Sequence, residues 1–244
     1  MSLIICENVS LSYGKQSVLS ELTFQVGRGD YLCVVGENGS GKSTVLNLIP
    51  RFYDVTEGAV YIKGRDIRTI PQEELHGMFG AAMQNDFIFA GILEENIDFF
   101  RGIPKEKIRA AAVIAQADGF INSFEEGYSR LLTSKGNNLS GGQRQRVFIS
   151  RAVADTPEIL VLDDSSSALD YRTDSALRKA LKRDTKESTT VVVAQRVSSV
   201  MGCDKIIVVS EGRISAMGTH EYLMNNSEEY RDISNSQMGG AVID

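Results

Sequence analysis

The sequence predicts an α/β fold built on a parallel sheet, with an antiparallel edge sheet and an inserted helical subdomain. Short apolar runs at 31–35, 159–162, 189–194 and 205–209 are typical of buried strands. Helical patterns separate several of these runs, and alternating strands and helices indicate a parallel sheet. The segment from about 85 to 157 has mainly helical spacing.

The N-terminal part of the chain predicts the edge sheet. Residues 3–11 and 18–26 are interpreted as two of its strands, and 60–63 begins a hairpin through the turn "GRDI". Residues 47–52 are expected to form the last part of the first helix. Pro157 separates the helical middle from the returning strands. We therefore expect one domain over 1–244, with a core lobe of about 1–84 and 158–244 and a helical subdomain of about 85–157.

Composition excludes several classes of protein. The 244 residues are 42% hydrophobic, enough for a real core, and the net charge of −6 argues against a nucleic-acid-binding surface. No segment approaches the roughly 20 apolar residues that span a bilayer. Cys6, Cys33 and Cys203 lie far apart without CxxC spacing. We expect three reduced thiols in a cytosolic protein rather than a disulfide or a metal site.

The most specific motif follows the strand at 31–35. The stretch "GENGSGKS" matches G-x-x-x-x-G-K-[ST] at every fixed position. Its glycines let backbone N–H groups surround phosphate oxygens, the lysine reaches the β- and γ-phosphates, and the serine faces Mg²⁺. The motif predicts a nucleoside-triphosphate site formed by Gly36, Glu37, Asn38, Gly39, Ser40, Gly41, Lys42, Ser43 and Thr44.

A second motif, "LSGGQ" at 139–143, precedes a predicted helix. Two glycines, a serine and a helix start can bind an anion. The phosphates in the first motif are already enclosed, so this one is expected to serve a nucleotide held by another chain. An ordinary helix capped by Ser140 is the alternative.

These motifs, together with "ILVLDD" at 159–164, resemble the nucleotide-binding domain of ABC transporters over nearly the whole chain. Tyr13 matches the family's adenine-stacking aromatic residue, with a surface turn tyrosine as the alternative. Gln84 matches the glutamine that joins Mg²⁺ and couples to the membrane domains. The segment "SALD" at 167–170 matches the loop that crosses the dimer interface. The stretches "RFYDVTEG" and "FIFAGILEENI" are similar to the exporter branch.

The resemblance implies a P-loop NTPase that binds ATP with Mg²⁺ and hydrolyses it. It implies Mg²⁺ ligands at Ser43, Gln84 and Asp163, and contact with a partner's ATP through Ser140, Gly141, Gly142 and Gln143. It also implies a head-to-tail dimer and membrane helices fused N-terminally. The chain, soluble by itself, would then lie at the cytoplasmic face of the cell membrane.

Two positions depart from the family pattern. Asp164 stands where the family has a glutamate that polarises the attacking water, and aspartate is one methylene shorter. Gln195 stands where the family has a histidine, and glutamine carries no titratable charge. Both are candidate catalytic residues of an impaired hydrolytic site, and this favours a heterodimer over a homodimer. A separate importer ATPase and a regulatory ATP-binding domain that never hydrolyses are the alternatives.

Overall fold

The computed structural model describes residues 2–163, 168–194 and 199–238. Asp164, Gln195 and Ser167 of "SALD" lie outside the described residues. The chain divides into two compact units, Met1–Gly77 with Thr189–Asp244, and Met78–Ser188. Within the described part, no helix is both long and apolar enough to cross a membrane.

The strands and helices are numbered in chain order over the described residues. The strands are β1 Ser2–Tyr13, β2 Gln16–Gly27, β3 Tyr31–Val35, β4 Glu57–Ile62, β5 Arg65–Asp66, β6 Phe79–Ala82, β7 Gly91–Ile92, β8 Leu131–Leu132, β9 Ile159–Asp163, β10 Thr189–Val193, β11 Lys205–Ser210 and β12 Arg213–Gly218. The helices are α1 Lys42–Leu48, α2 Gln72–Gly77, α3 Leu93–Asp98, α4 Lys105–Ile114, α5 Asp118–Asn122, α6 Gly141–Val153, α7 Tyr171–Asp184, α8 His220–Asn226 and α9 Glu228–Met238.

The first unit contains the predicted antiparallel edge sheet, in the order β2-β1-β4-β5. Cys6 of β1 faces Phe24 of β2, and Ile4 faces Ile62 of β4. These four side chains are buried. One face of the sheet is therefore apolar, as the alternation of the sequence indicates.

The first unit also contains parallel strands. β3 lies between β10 and β11 and is parallel to both, and β12 pairs antiparallel with β11. Four of the five residues of β3 are buried, which is typical of a central parallel strand covered on both faces. The predicted parallel core is confirmed, and β3 leads directly into the glycine-rich motif.

The second unit contains a parallel pair, β6 and β9, in which Ala82 faces Leu162. Helices α3 to α6 all lie within the predicted helical segment, but β7 and β8 form a small antiparallel pair there as well. This pair was not predicted, because two-residue strands carry no measurable period.

Two sequence-based expectations are wrong. The first helix ends at Leu48 and does not continue to residue 52, since Pro50 cannot continue it. The cysteines are not three free thiols. Cys33 and Cys203 form a disulfide with 6.1 Å between their Cα atoms, and Cys6 alone is free and buried. Cys33 faces Ile206 across β3 and β11, so strand pairing brings together two cysteines 170 residues apart.

The C-terminal helices α8 and α9 lie on the core of the first unit through Tyr230. This side chain is fully buried beside Val35, Val208 and Leu223. Its hydroxyl lies 2.8 Å from His220 Nδ1, and burial raises the pKa of Tyr230 to about 12. His220 is the first residue of α8.

Candidate functional site

The glycine-rich loop between β3 and α1 requires glycine at two close approaches. Gly36 and Gly41 have φ of 151° and 107°. A Cβ on Gly36 would lie 2.1 Å from the Val209 carbonyl oxygen, and one on Gly41 would lie 2.6 Å from a Leu19 methyl. The loop is therefore held against β2 and β11, and larger residues would push it off the sheet.

Lys42 and Ser40 are the polar groups buried in this loop. The Lys42 ammonium donates to the carbonyl oxygens of Gly36 at 2.8 Å and Glu37 at 2.5 Å, so it lies across the loop. The Ser40 hydroxyl is buried and has no hydrogen-bond partner among the described residues. Burying a hydroxyl without a partner is costly. A cation together with an unsatisfied hydroxyl fits a phosphate group.

Acidic side chains of α9 lie beside the loop. A cavity of about 830 Å³ is lined there by Gly36, Glu37, Asn38, Glu228, Glu229, Asp232, Ile233 and Ser236. The three carboxylates from α9 make this cavity unfavourable for a polyphosphate. A polyphosphate is therefore expected at Lys42 rather than in this cavity.

Tyr13 ends strand β1 in the same unit. Its ring is 52% exposed and meets Tyr53 edge to face, with 6.0 Å between ring centroids. Strand pairing places Tyr13 opposite Gln16 of β2. Leu19, which packs beside Gly41 of the loop, follows Gln16 by three residues on the same strand. Tyr53 is a supporting residue that the sequence analysis missed, although it lies within the "RFYDVTEG" stretch.

The second unit places Gln84 and Asp163 at one edge. The paired residues Ala82 and Leu162 precede them on the parallel strands β6 and β9. The carboxyl ends of neighbouring parallel strands meet at the same edge. Gln84 is exposed and Asp163 is buried. An amide oxygen and a carboxylate are ligands that Mg²⁺ accepts.

The "LSGGQ" motif begins α6 as a capping box. The Ser140 hydroxyl accepts from the Gln143 amide at 3.2 Å, and Gln143 Oε1 accepts from the Ser140 amide at 2.9 Å. This is the ordinary capped helix named as the alternative. It leaves Ser140 exposed, and a hydroxyl that accepts a hydrogen bond can still donate its own proton.

The described part of "SALD" lies against the start of α6. A Cβ on Gly142 would come within 3.0 Å of the Ala168 carbonyl oxygen. The Ala168 amide donates to Gln145 Oε1 at 3.1 Å. Asp170 caps α7 by accepting from the Thr173 amide at 2.9 Å, and this bond lowers the pKa of Asp170. The two motifs therefore form one surface of the second unit.

The predicted site residues consequently fall into two groups. Tyr13 and residues 36–44 belong to the first unit, whereas Gln84, Asp163 and residues 139–143 belong to the second. Among the described residues, no cluster of three or more histidine, cysteine or acidic side chains could hold a metal.

The fold and the glycine-rich loop define a P-loop NTPase. The family described as ABC transporter matches residues 19–167, more than half of the chain. The chain belongs to the ABC transporter family, as its ATP-binding ATPase domain. The resemblance drawn from the motifs is confirmed.

Several known proteins are similar to the chain. A putative multidrug export ATP-binding/permease protein YgaD of Bacillus subtilis (strain 168) is 40% identical over 232 residues, 93% of the chain and 40% of that protein. An ATP-dependent lipid A-core flippase of Desulfotalea psychrophila is 38% identical over 231 residues, 94% of the chain and 40% of the flippase. The chain thus spans about two fifths of the length of these relatives.

A solved structure of a bacterial Atm1-family ABC exporter with ATP bound has the same fold, with a TM-score of 0.91 and 31% identity. The match covers 99% of the chain and 42% of the exporter. The fold is therefore matched along almost the whole chain.

Proposed function

We propose that the chain is the motor domain of an ABC exporter, which binds and hydrolyses ATP and dimerises around it to drive export. The observation that carries this proposal is the phosphate cradle of the P-loop, with buried Lys42 and the unsatisfied Ser40 hydroxyl. The exporters among the similar proteins support the direction of transport. They also make a separate importer ATPase the weaker alternative.

Each predicted residue has a role in this proposal. Lys42 exchanges its bonds to the loop carbonyls for the β- and γ-phosphate oxygens, and the Ser40 hydroxyl gains an acceptor. Tyr13, braced by Tyr53, stacks on the adenine. Ser43 of the first unit and Gln84 and Asp163 of the second would hold Mg²⁺, which would neutralise charge on the phosphates.

The exposed start of α6 completes the site of a second domain. Ser140, Gly141, Gly142 and Gln143 would meet the phosphates of the partner's ATP, and Ser140 would donate its hydroxyl proton to the γ-phosphate. Closure of the dimer therefore depends on ATP in both P-loops, and the dimer reopens when that ATP has been hydrolysed.

The chain's own hydrolytic site is the impaired one of a heterodimer in this proposal. Asp164 is one methylene shorter than the family's glutamate, and about 1 Å of misplacement costs on the order of 100-fold in rate. Gln195 can donate to the γ-phosphate without a charge. A purely regulatory domain is the second candidate, and it is supported by these same two residues.

The remaining parts of the proposal concern the whole protein. The relatives are more than twice as long as the chain, and membrane helices fused N-terminally account for the difference. The domain then lies at the cytoplasmic face of the membrane. The net charge of −6 agrees with a protein that binds no nucleic acid.

The test is ATP binding by Lys42→Ala, measured by calorimetry on the 244-residue chain. A charged hydrogen bond contributes about 1.5–3 kcal/mol, and two phosphates share this ammonium, so we expect affinity to fall at least about 100-fold. Lys179→Ala, on the exposed face of α7, is the matched control and should bind as the parent does. Parent-like affinity in Lys42→Ala would refute the proposal.

A further inference from the structure

Arg151 is an arginine that the sequence analysis did not single out. It lies on α6, eleven residues after Ser140 and therefore about three turns along the helix. The residue is only 6% exposed. Burial lowers the pKa of Arg151 to about 10, with partial compensation from Asp86. A buried guanidinium costs several kcal/mol unless its donors are satisfied, so its contacts indicate what it does.

The guanidinium of Arg151 reaches the segment that follows Gln84. Nη2 donates to the Phe87 carbonyl at 3.0 Å, and Nε donates to the Asn96 carbonyl at 2.9 Å. Nη1 lies 3.8 Å from Asp86 Oδ1, and the guanidinium carbon lies 4.2 Å from the centroid of the Phe99 ring. One side chain of α6 therefore contacts both ends of the segment 86–99.

Asp86 in turn closes the turn that presents Gln84. Its carboxylate accepts from the Met83 amide at 3.1 Å, and its own amide donates to the Met83 carbonyl at 3.1 Å. Burial raises the pKa of Asp86, while the Met83 bond and Arg151 act in the opposite direction. Gln84 lies exposed inside this turn. The backbone on either side of Gln84 is consequently held by the bonds between Asp86 and Met83 and by the bond from Arg151 to Phe87.

We infer that Arg151 is a positioning residue that fastens the Gln84 turn to the "LSGGQ" helix. A shift of α6, caused when Ser140 meets a partner's nucleotide, is thereby transmitted to Gln84 through Arg151 and Phe87. The role rests on the proposed function, because only an ATP-bound dimer uses Ser140 and Gln84 together. The fastening itself does not depend on nucleotide.

The first test is hydrogen exchange on the 244-residue chain with Arg151→Met. Methionine keeps the apolar stem but has no donors. Three backbone amides near Gln84 donate hydrogen bonds, those of Met83, Asp86 and Phe89. We expect these amides to exchange at least about tenfold faster in the variant than in the parent. Amides in the middle of α6 should keep their rates.

Arg101→Met is the matched control. Arg101 is also partly buried here, but it donates to the carbonyls of Ile97, Asp98 and Arg151 and not to the segment 83–89. We expect it to leave the turn protected. Arg151→Lys keeps the positive charge. Because lysine cannot bond two separated carbonyls as the guanidinium fork does, we expect the amides of the turn to lose part of their protection in this variant. Parent-like protection in both Arg151 variants, or equal loss in Arg101→Met, would overturn the inference.

The second test asks whether Arg151 acts through Gln84. ATP affinity is measured with Mg²⁺ and with a chelator. We expect Arg151→Met to reduce the Mg²⁺-dependent gain in affinity at least threefold, without changing affinity in chelator. In a Gln84→Ala background it should change neither.

The outcomes separate the two proposals. If Lys42→Ala binds ATP as the parent does, the proposed function is refuted. The hydrogen-exchange rates of the amides then still decide whether Arg151 holds the turn. The positioning role is overturned if Mg²⁺ increases ATP affinity equally in the parent and in Arg151→Met. It is also overturned if the losses of affinity in Arg151→Met and Gln84→Ala are independent of each other.

Discussion

Gly80→Ala is expected to destabilise the chain at the contact between β6 and α6. An added Cβ would lie 2.0 Å from the Ala152 carbonyl oxygen and 2.7 Å from Pro157 Cγ. The oxygen belongs to the backbone of α6 and cannot rotate away. The end of α6 must therefore move away from β6.

The magnitude follows from these distances. A carbon atom ordinarily stays about 3.3 Å from a carbonyl oxygen, so the backbone must yield by more than about 1 Å in total. Overpacking of this kind costs roughly 1–3 kcal/mol. Alanine recovers about 0.4–1 kcal/mol by restricting the unfolded chain. Since a backbone atom is the obstacle, we expect a net loss of about 2 kcal/mol.

The assay is urea unfolding of the chain with each variant. Gly119→Ala is the matched control, because it lies on helix α5 and its Cβ would meet nothing within 4 Å. It should raise stability by up to about 1 kcal/mol. A Gly80→Ala chain that unfolds at or above the parent's midpoint would refute the close packing of α6 on β6.

Two further outcomes are expected. The unfolded chain ionises tyrosine near pH 10, whereas burial raises the pKa of Tyr230 to about 12. The stabilising contribution of Tyr230 should be complete below pH 10 and fall by roughly 2–3 kcal/mol as the pH rises to about 12. Alkaline denaturation of Tyr230→Phe should lack this loss, and exposed Tyr222→Phe should keep it. Asp164→Glu with Gln195→His should raise steady-state ATP turnover at least about tenfold, or ~1.4 kcal/mol; unchanged turnover would contradict an impaired site.

The local parts of the fold could be predicted because their signals lie within a few residues. The strand at 31–35 and the P-loop after it are contiguous, and glycine spacing alone indicates a phosphate cradle. The cap of α6 is likewise local, since Ser140 and Gln143 are three residues apart. Roles at Gln84 and Asp163 came from the family resemblance, and they remain predictions.

The sequence by itself determined that the chain has a P-loop, an "LSGGQ" motif at the start of a helix and strands of a parallel core, since period and motif are properties of neighbouring residues. The tertiary structure alone decided that Cys33 meets Cys203, that Gly80 leaves room for α6, and that Arg151 reaches Phe87. Each of these contacts joins residues at least 64 positions apart. Such contacts depend on how strands and helices pack, and that packing is a sum of many weak interactions that no single segment encodes.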